Sequence, residues 1–159
     1  MLILYTSDFH FSAHNSKFEI AKKRLDDLAS AIKAQNYNID IFIFTGDIID
    51  AKSICFETAK HMFESTDHDK YKKMIDCLNN NQNIKTALEP DDFKHYCEII
   101  TEKTDKLFQD VGTELNYFLS KIGVTDFKKI IFCCGNHDIL RIEKPPKFEC
   151  EQGKNKEKL

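Results

Sequence analysis

The stretch Asp40-Ile41-Phe42-Ile43-Phe44-Thr45, followed by Gly46-Asp47-Ile48-Ile49-Asp50, decides how the rest of the chain is read. A short apolar, β-favouring run bounded by polar signals reads as a strand buried on both faces. Gly46 relaxes the backbone where the strand ends. Asp47 then stands where the strand leaves the sheet, and open α/β sheets bind ligands at the carboxyl ends of their strands. Taken alone, Asp47 is equally readable as a turn or helix-capping residue.

Two further stretches share this pattern. Leu2-Ile3-Leu4-Tyr5-Thr6 ends in Ser7-Asp8-Phe9-His10, and Lys129-Ile130-Ile131-Phe132-Cys133-Cys134 ends in Gly135-Asn136-His137-Asp138. Three strands therefore end in three clusters of oxygen and imidazole ligands. If the strands are parallel neighbours, the clusters converge on one rim and make a site.

Between the first two strands, Phe18, Ala21, Leu25, Leu28, Ala29 and Ile32 fall at helical spacing, and Ser16-Lys17-Phe18-Glu19 reads as a capping box. This gives a β-α-β unit, which favours parallel strands. From Asp50 onward the rhythm changes. Helices are expected over Glu57 to Ser65, over Asp67 to Leu78, and from Pro90 toward a Gly123 C-cap, with Gly112 leaving one long helix or two open. Residues 52–103 read as a helical insertion or lid beside the core. Residues 1–142 read as the domain, and 143–159, with Pro145-Pro146 and a charged end, as a polar tail expected to be disordered.

The chain has 159 residues, 42% hydrophobic and 31% charged, with a net charge of −3. That fits a soluble globular protein of single-domain length. The charge gives no overall bias toward nucleic acid, and no apolar run is long enough for a membrane span. The apolar start has no basic lead and runs directly into Asp8, so no secretory leader is expected. The six cysteines lack zinc-site spacing and read as reduced thiols of a cytoplasmic protein.

Asp8-x-His10, Gly46-Asp47-x-x-Asp50 and Gly135-Asn136-His137-Asp138, in that order and each after a strand, resemble the first three motifs of the calcineurin-like metallophosphoesterases. The likeness covers the N-terminal half of that family's domain, a two-sheet sandwich flanked by helices. It implies an α/β fold with a parallel β-α-β core, and hydrolysis of phosphomonoesters or phosphodiesters by a water activated between two divalent cations, with Mn, Fe or Zn suited to such ligands. By family position, Asp47 bridges both metals, Asp8 and His10 bind the first, and Asn136 binds the second. His137 resembles the general acid, or a cation near the leaving oxygen, and Asp138 would orient it. Asp50 either hydrogen-bonds the metal loop or caps the next helix.

The family pattern continues with a further metal-binding His and a Gly-His-x-His, and no His follows His137 here. His14, His61, His68 and His95 match no family position and read as surface residues. The resemblance therefore implies an enzyme whose site is completed by a separate chain or a downstream segment. The alternative is a non-catalytic metal-binding or interaction domain. A nucleotide-binding doubly wound domain fares worse, because no strand end carries a G-x-G-x-x-G or a P-loop. The Tyr5-Thr6-Ser7-Asp8-Phe9-His10 opening has some likeness to the DNA-repair nuclease branch, a hint of phosphodiester, nucleic-acid or nucleotide substrates.

Overall fold

A computed structural model describes residues 1–135 of the chain, apart from the side chain of Cys134. Asn136, His137, Asp138, the short element expected over Ile139 to Ile142, and the 143–159 tail with Cys150 lie outside the described residues.

Strand β1 (Ile3–Ser7), strand β3 (Ile41–Gly46) and strand β5 (Ile130–Cys134) form one sheet in the order β1-β3-β5, and both pairings are parallel. Strand β2 (Phe11–Ser12) and strand β4 (Ile49–Asp50) form a second, two-residue parallel pair. β2 continues from β1 and β4 from β3, each after a break at the ligand-bearing turn. Helix α1 (Asn15–Ala34) makes the crossover. Helix α2 (Ala51–Phe63), helix α3 (His68–Asn79) and helix α4 (Pro90–Lys121) fill the interval before β5.

The expected stripe on α1 is observed: Ala21, Leu25, Ala29 and Ile32 are buried, with Phe18 and Leu28 packed beside them. The expected capping box is not. The helix begins at Asn15, its N-cap is His14, and no side chain caps it. Ser16 Oγ instead pairs with His14 Nδ1 at 2.9 Å. Two residues of β2, buried at Phe11 and Ser12, deliver the chain into the helix a turn's fraction earlier than the Ser-x-x-Glu pattern implies. α2 likewise starts at Ala51 rather than Glu57, because the Asp50 carboxylate accepts from the Ser53 backbone N–H at 3.3 Å.

α4 is one 32-residue helix that passes through Gly112 without interruption. Its apolar stripe is long enough to offset the weak propensity of one glycine. The first half packs on α2, where the buried Tyr96 hydroxyl donates to the Cys55 carbonyl at 3.3 Å. The second half packs on the sheet, where the Phe118 ring meets Phe42 at 5.8 Å between centroids. The helix closes in a Schellman motif: Gly123 at φ 76 donates to Ser120 O and Val124 to Leu119 O. At the opposite end of the sheet from the ligand rim, Leu2 N–H donates to the Asp40 carboxylate at 2.7 Å, which lowers the pKa of that carboxyl.

Candidate metal centre at the carboxyl ends of the strands

Parallel pairing puts the ends of β1 and β3 on the same rim. Ser7 is in register with Thr45, so Asp8 and His10 emerge beside Asp47. The two loops are joined through the main chain: His10 N–H donates to Asp47 O at 3.1 Å and Phe11 N–H to Ile48 O at 2.8 Å. Pairing between the two chain segments thus resumes after the break and leads into the β2–β4 pair.

Asp8 and His10 both take left-handed backbone conformations, at φ 58 and φ 52. Asp and His are among the non-glycine types that tolerate this region, at a cost on the order of 1 kcal/mol each. Between them Phe9 turns inward, and its ring stacks on Phe44 at 5.5 Å. The buried Phe9 anchors the turn while the residues on either side turn out to the rim. The result is a ligand group. One donor atom each from Asp8, His10 and Asp47 lies within 4.8 Å of the others. Asp47 is only 7% exposed, whereas Asp8 is open to solvent.

Two carboxylates and an imidazole, gathered this closely with one carboxylate buried, suit a divalent cation of borderline hardness. They also leave open coordination positions, since three ligands do not close a site. The donor set and its spacing therefore fit a metal ion.

The remaining sequence-derived candidates are placed as follows. Asp50 sits at the N-terminus of α2 and caps it through Ser53. Its backbone O also accepts from the Ser53 hydroxyl at 2.6 Å. His14, His61, His68 and His95 are exposed. Asn136, His137 and Asp138 belong to the segment outside the described residues, but Gly135, immediately before them, is described and lies against Asp47. Sequence reading counted Gly135 within a motif without giving it a role of its own, and missed Ser53, whose hydroxyl accepts from the Ala13 N–H at 2.9 Å and ties the first ligand loop to α2. The glycine just before Asn136 was the available signal for the first. No local pattern marks the second.

Among known families, the model for calcineurin-like phosphoesterases matches residues 1–158. No curated protein and no solved structure matches the chain. Among the described residues no helix is long and apolar enough to cross a membrane.

Proposed function

The chain belongs to the calcineurin-like phosphoesterase family, and on that premise we propose that it is the ligand-bearing half of a metal-dependent phosphoesterase acting on phosphomonoesters or phosphodiesters. The observation that carries this reading is the convergence of Asp8, His10 and Asp47 at the ends of adjacent parallel strands.

Asp8, His10 and Asp47 would hold the first divalent ion, with Asp47 shared toward a second whose other ligand is Asn136. Mn, Fe or Zn in such a pair polarises phosphoryl oxygens and lowers the pKa of bound water. The chain's own residues supply the rest. The buried Asp47 fixes the centre. Phe9, packed under the turn, holds Asp8 and His10 in their outward geometry. His137 delivers a proton to the leaving oxygen, and Asp138 orients its imidazole.

Completion by a downstream segment or a separate chain is part of the proposal. Two observations support it. Among the described residues the ligands number three, and Ile3, Tyr5 and Ile131 on one sheet face stay exposed, whereas parallel sheets are ordinarily covered on both sides. Residues 52–103 would then form a helical insertion beside the core. A nucleic acid or nucleotide as substrate, and a cytoplasmic location, complete the reading; the second is supported by Cys55, Cys77 and Cys133 forming no disulfide.

The test is hydrolysis of bis-p-nitrophenyl phosphate with Mn. We expect negligible turnover from the chain alone and recovery when the missing part is supplied. Asp47→Asn should abolish the recovered activity. His137→Gln should lower it by about 10²–10⁴-fold while metal binding persists. Turnover by the short chain that survives Asp47→Asn would move the site elsewhere. Metal binding without hydrolysis in any completed form would leave the non-catalytic reading standing.

A further inference from the structure

Strand register places each carboxylate of the centre opposite a glycine. β1 and β3 pair Ser7 with Thr45, and β3 and β5 pair Gly46 with Cys134. One step further along each pair, Asp8 comes level with Gly46 and Asp47 comes level with Gly135. The same relation is thus repeated one strand along the sheet. A Cβ on Gly46 would stand 3.0 Å from Asp8 Oδ1. A Cβ on Gly135 would run into Asp47 Oδ1, and would stand 2.6 Å from the Gly46 carbonyl carbon and 2.7 Å from the Asp47 nitrogen. At Gly112 and Gly123, by contrast, nothing lies within 4 Å of the added atom.

We infer that Gly46 and Gly135 are positioning residues, whose missing side chains form the floor on which the Asp8 and Asp47 carboxylates rest and so set the spacing of the metal ligands. This deepens the proposed metal-holding role and rests on it. Gly46 also needs its φ of 89, so any substitution there mixes steric with backbone strain. Gly135 shows no such φ and separates the two effects. Rotating Asp47 away cannot accommodate a methyl at 135, because the Gly46 carbonyl carbon and the Asp47 nitrogen at the end of β3 also stand in its place. The end of β5 must move off β3, and ligand geometry tolerates only about 0.5 Å of displacement.

Mn(II) titration by calorimetry on the wild-type chain, Gly135→Ala and Gly112→Ala tests this, with circular dichroism of the metal-free proteins as the folding readout. We expect Gly112→Ala to bind like wild type. Gly135→Ala should keep its helical spectrum and bind about tenfold more weakly or worse, the usual consequence of disturbing groups that orient ligands. Binding by Gly135→Ala within about twofold of wild type, on that same scale of effects, overturns the inference and leaves the metal centre intact. A wild-type chain that takes up no Mn overturns the metal reading itself, and the inference with it. If Gly135→Ala does not fold, Gly46→Ala decides by the same titration. Weakened Mn uptake by the folded variant supports the inference, and uptake within about twofold of wild type overturns it.

Discussion

The two faces of the β1-β3-β5 sheet are made by alternate residues of the same strands, yet their surroundings are opposite. On one face Phe42 and Phe44 are 0% exposed, packed against Phe9, Phe118 and Phe132. On the other, Ile3 is 43% exposed, Tyr5 62% and Ile131 47%. Neither face is polar, so hydropathy does not separate them. Packing does: α4 and the turn at Phe9 cover Phe42 and Phe44, leaving only the β5 edge of that face open at Phe132, 46% exposed, whereas among the described residues Ile3, Tyr5 and Ile131 all stay open on the other. Stability in this chain is therefore one-sided, while the ligand rim lies at the end of the sheet, shared by both.

The largest expected effect tests that asymmetry directly. Phe44→Ala should cost about 3–5 kcal/mol of stability in urea unfolding, as for large-to-small changes in a packed core. Tyr5→Ala, one residue out of register with Phe44 on the neighbouring strand and therefore on the other face, should cost no more than about 1 kcal/mol, since it loses only exposed surface and one exposed hydroxyl pairing with Thr45. Similar losses at the two positions would mean that the face carrying Tyr5 is covered in solution.

A smaller effect appears in alkaline solution. Burial pushes the Cys55 thiol up to about 11. Between the ordinary thiol range and that value the folded protein keeps a proton that the unfolded chain has lost. Stability is therefore full below about pH 9 and falls as pH rises toward 11, by about 2–3 kcal/mol from this group. Burial raises Tyr96, and Asp92, Glu114 and Asp26 raise Lys70, Lys22 and Lys121, in the same direction. Comparing wild type with Cys55→Ala across this pH range isolates the Cys55 share as the difference in slope. The same contrast can be read chemically. A thiol reagent on the native protein should modify the exposed Cys133 well before the buried Cys55, with peptide mapping as the readout.

Two changes on the covered side should raise stability slightly. Thr58 Oγ1 is buried with no hydrogen-bond partner among the described residues. Thr58→Val should gain about 1 kcal/mol by removing that unsatisfied group. Gly112→Ala should gain about 0.5–1 kcal/mol through helix propensity in α4, since the added methyl meets nothing. If either change instead lowers the urea midpoint, the packing of α2 or α4 differs from that described.

Much of this was legible before any coordinates. Three apolar runs ending in Asp8-x-His10, Gly46-Asp47 and Gly135 gave three parallel strands, because a short continuous apolar run with a polar end is a local signal and a helix between strands favours a crossover. The α1 stripe at Ala21, Leu25, Ala29 and Ile32 was readable for the same reason. The start of α1 was not. Ser16 and Glu19 form a valid capping pattern, but the buried β2 segment sets where the helix begins, and that segment is held by pairing with β4, almost forty residues away in sequence. The continuity of α4 through Gly112 was likewise settled by the surfaces on which its two halves pack.

Sequence alone determined which residue types stand at the strand ends, and so which oxygen and imidazole donors are available there. It also determined that the chain alternates strand, helix and strand. Tertiary structure decided that Asp8, His10 and Asp47 meet within 4.8 Å and that Asp47 is the buried member. It also decided that Asp50 caps α2 and that Gly135 lies under a carboxylate from the next strand. The physical reason is that a backbone hydrogen bond or a steric contact between strands depends on register, and register is fixed only when the strands are side by side.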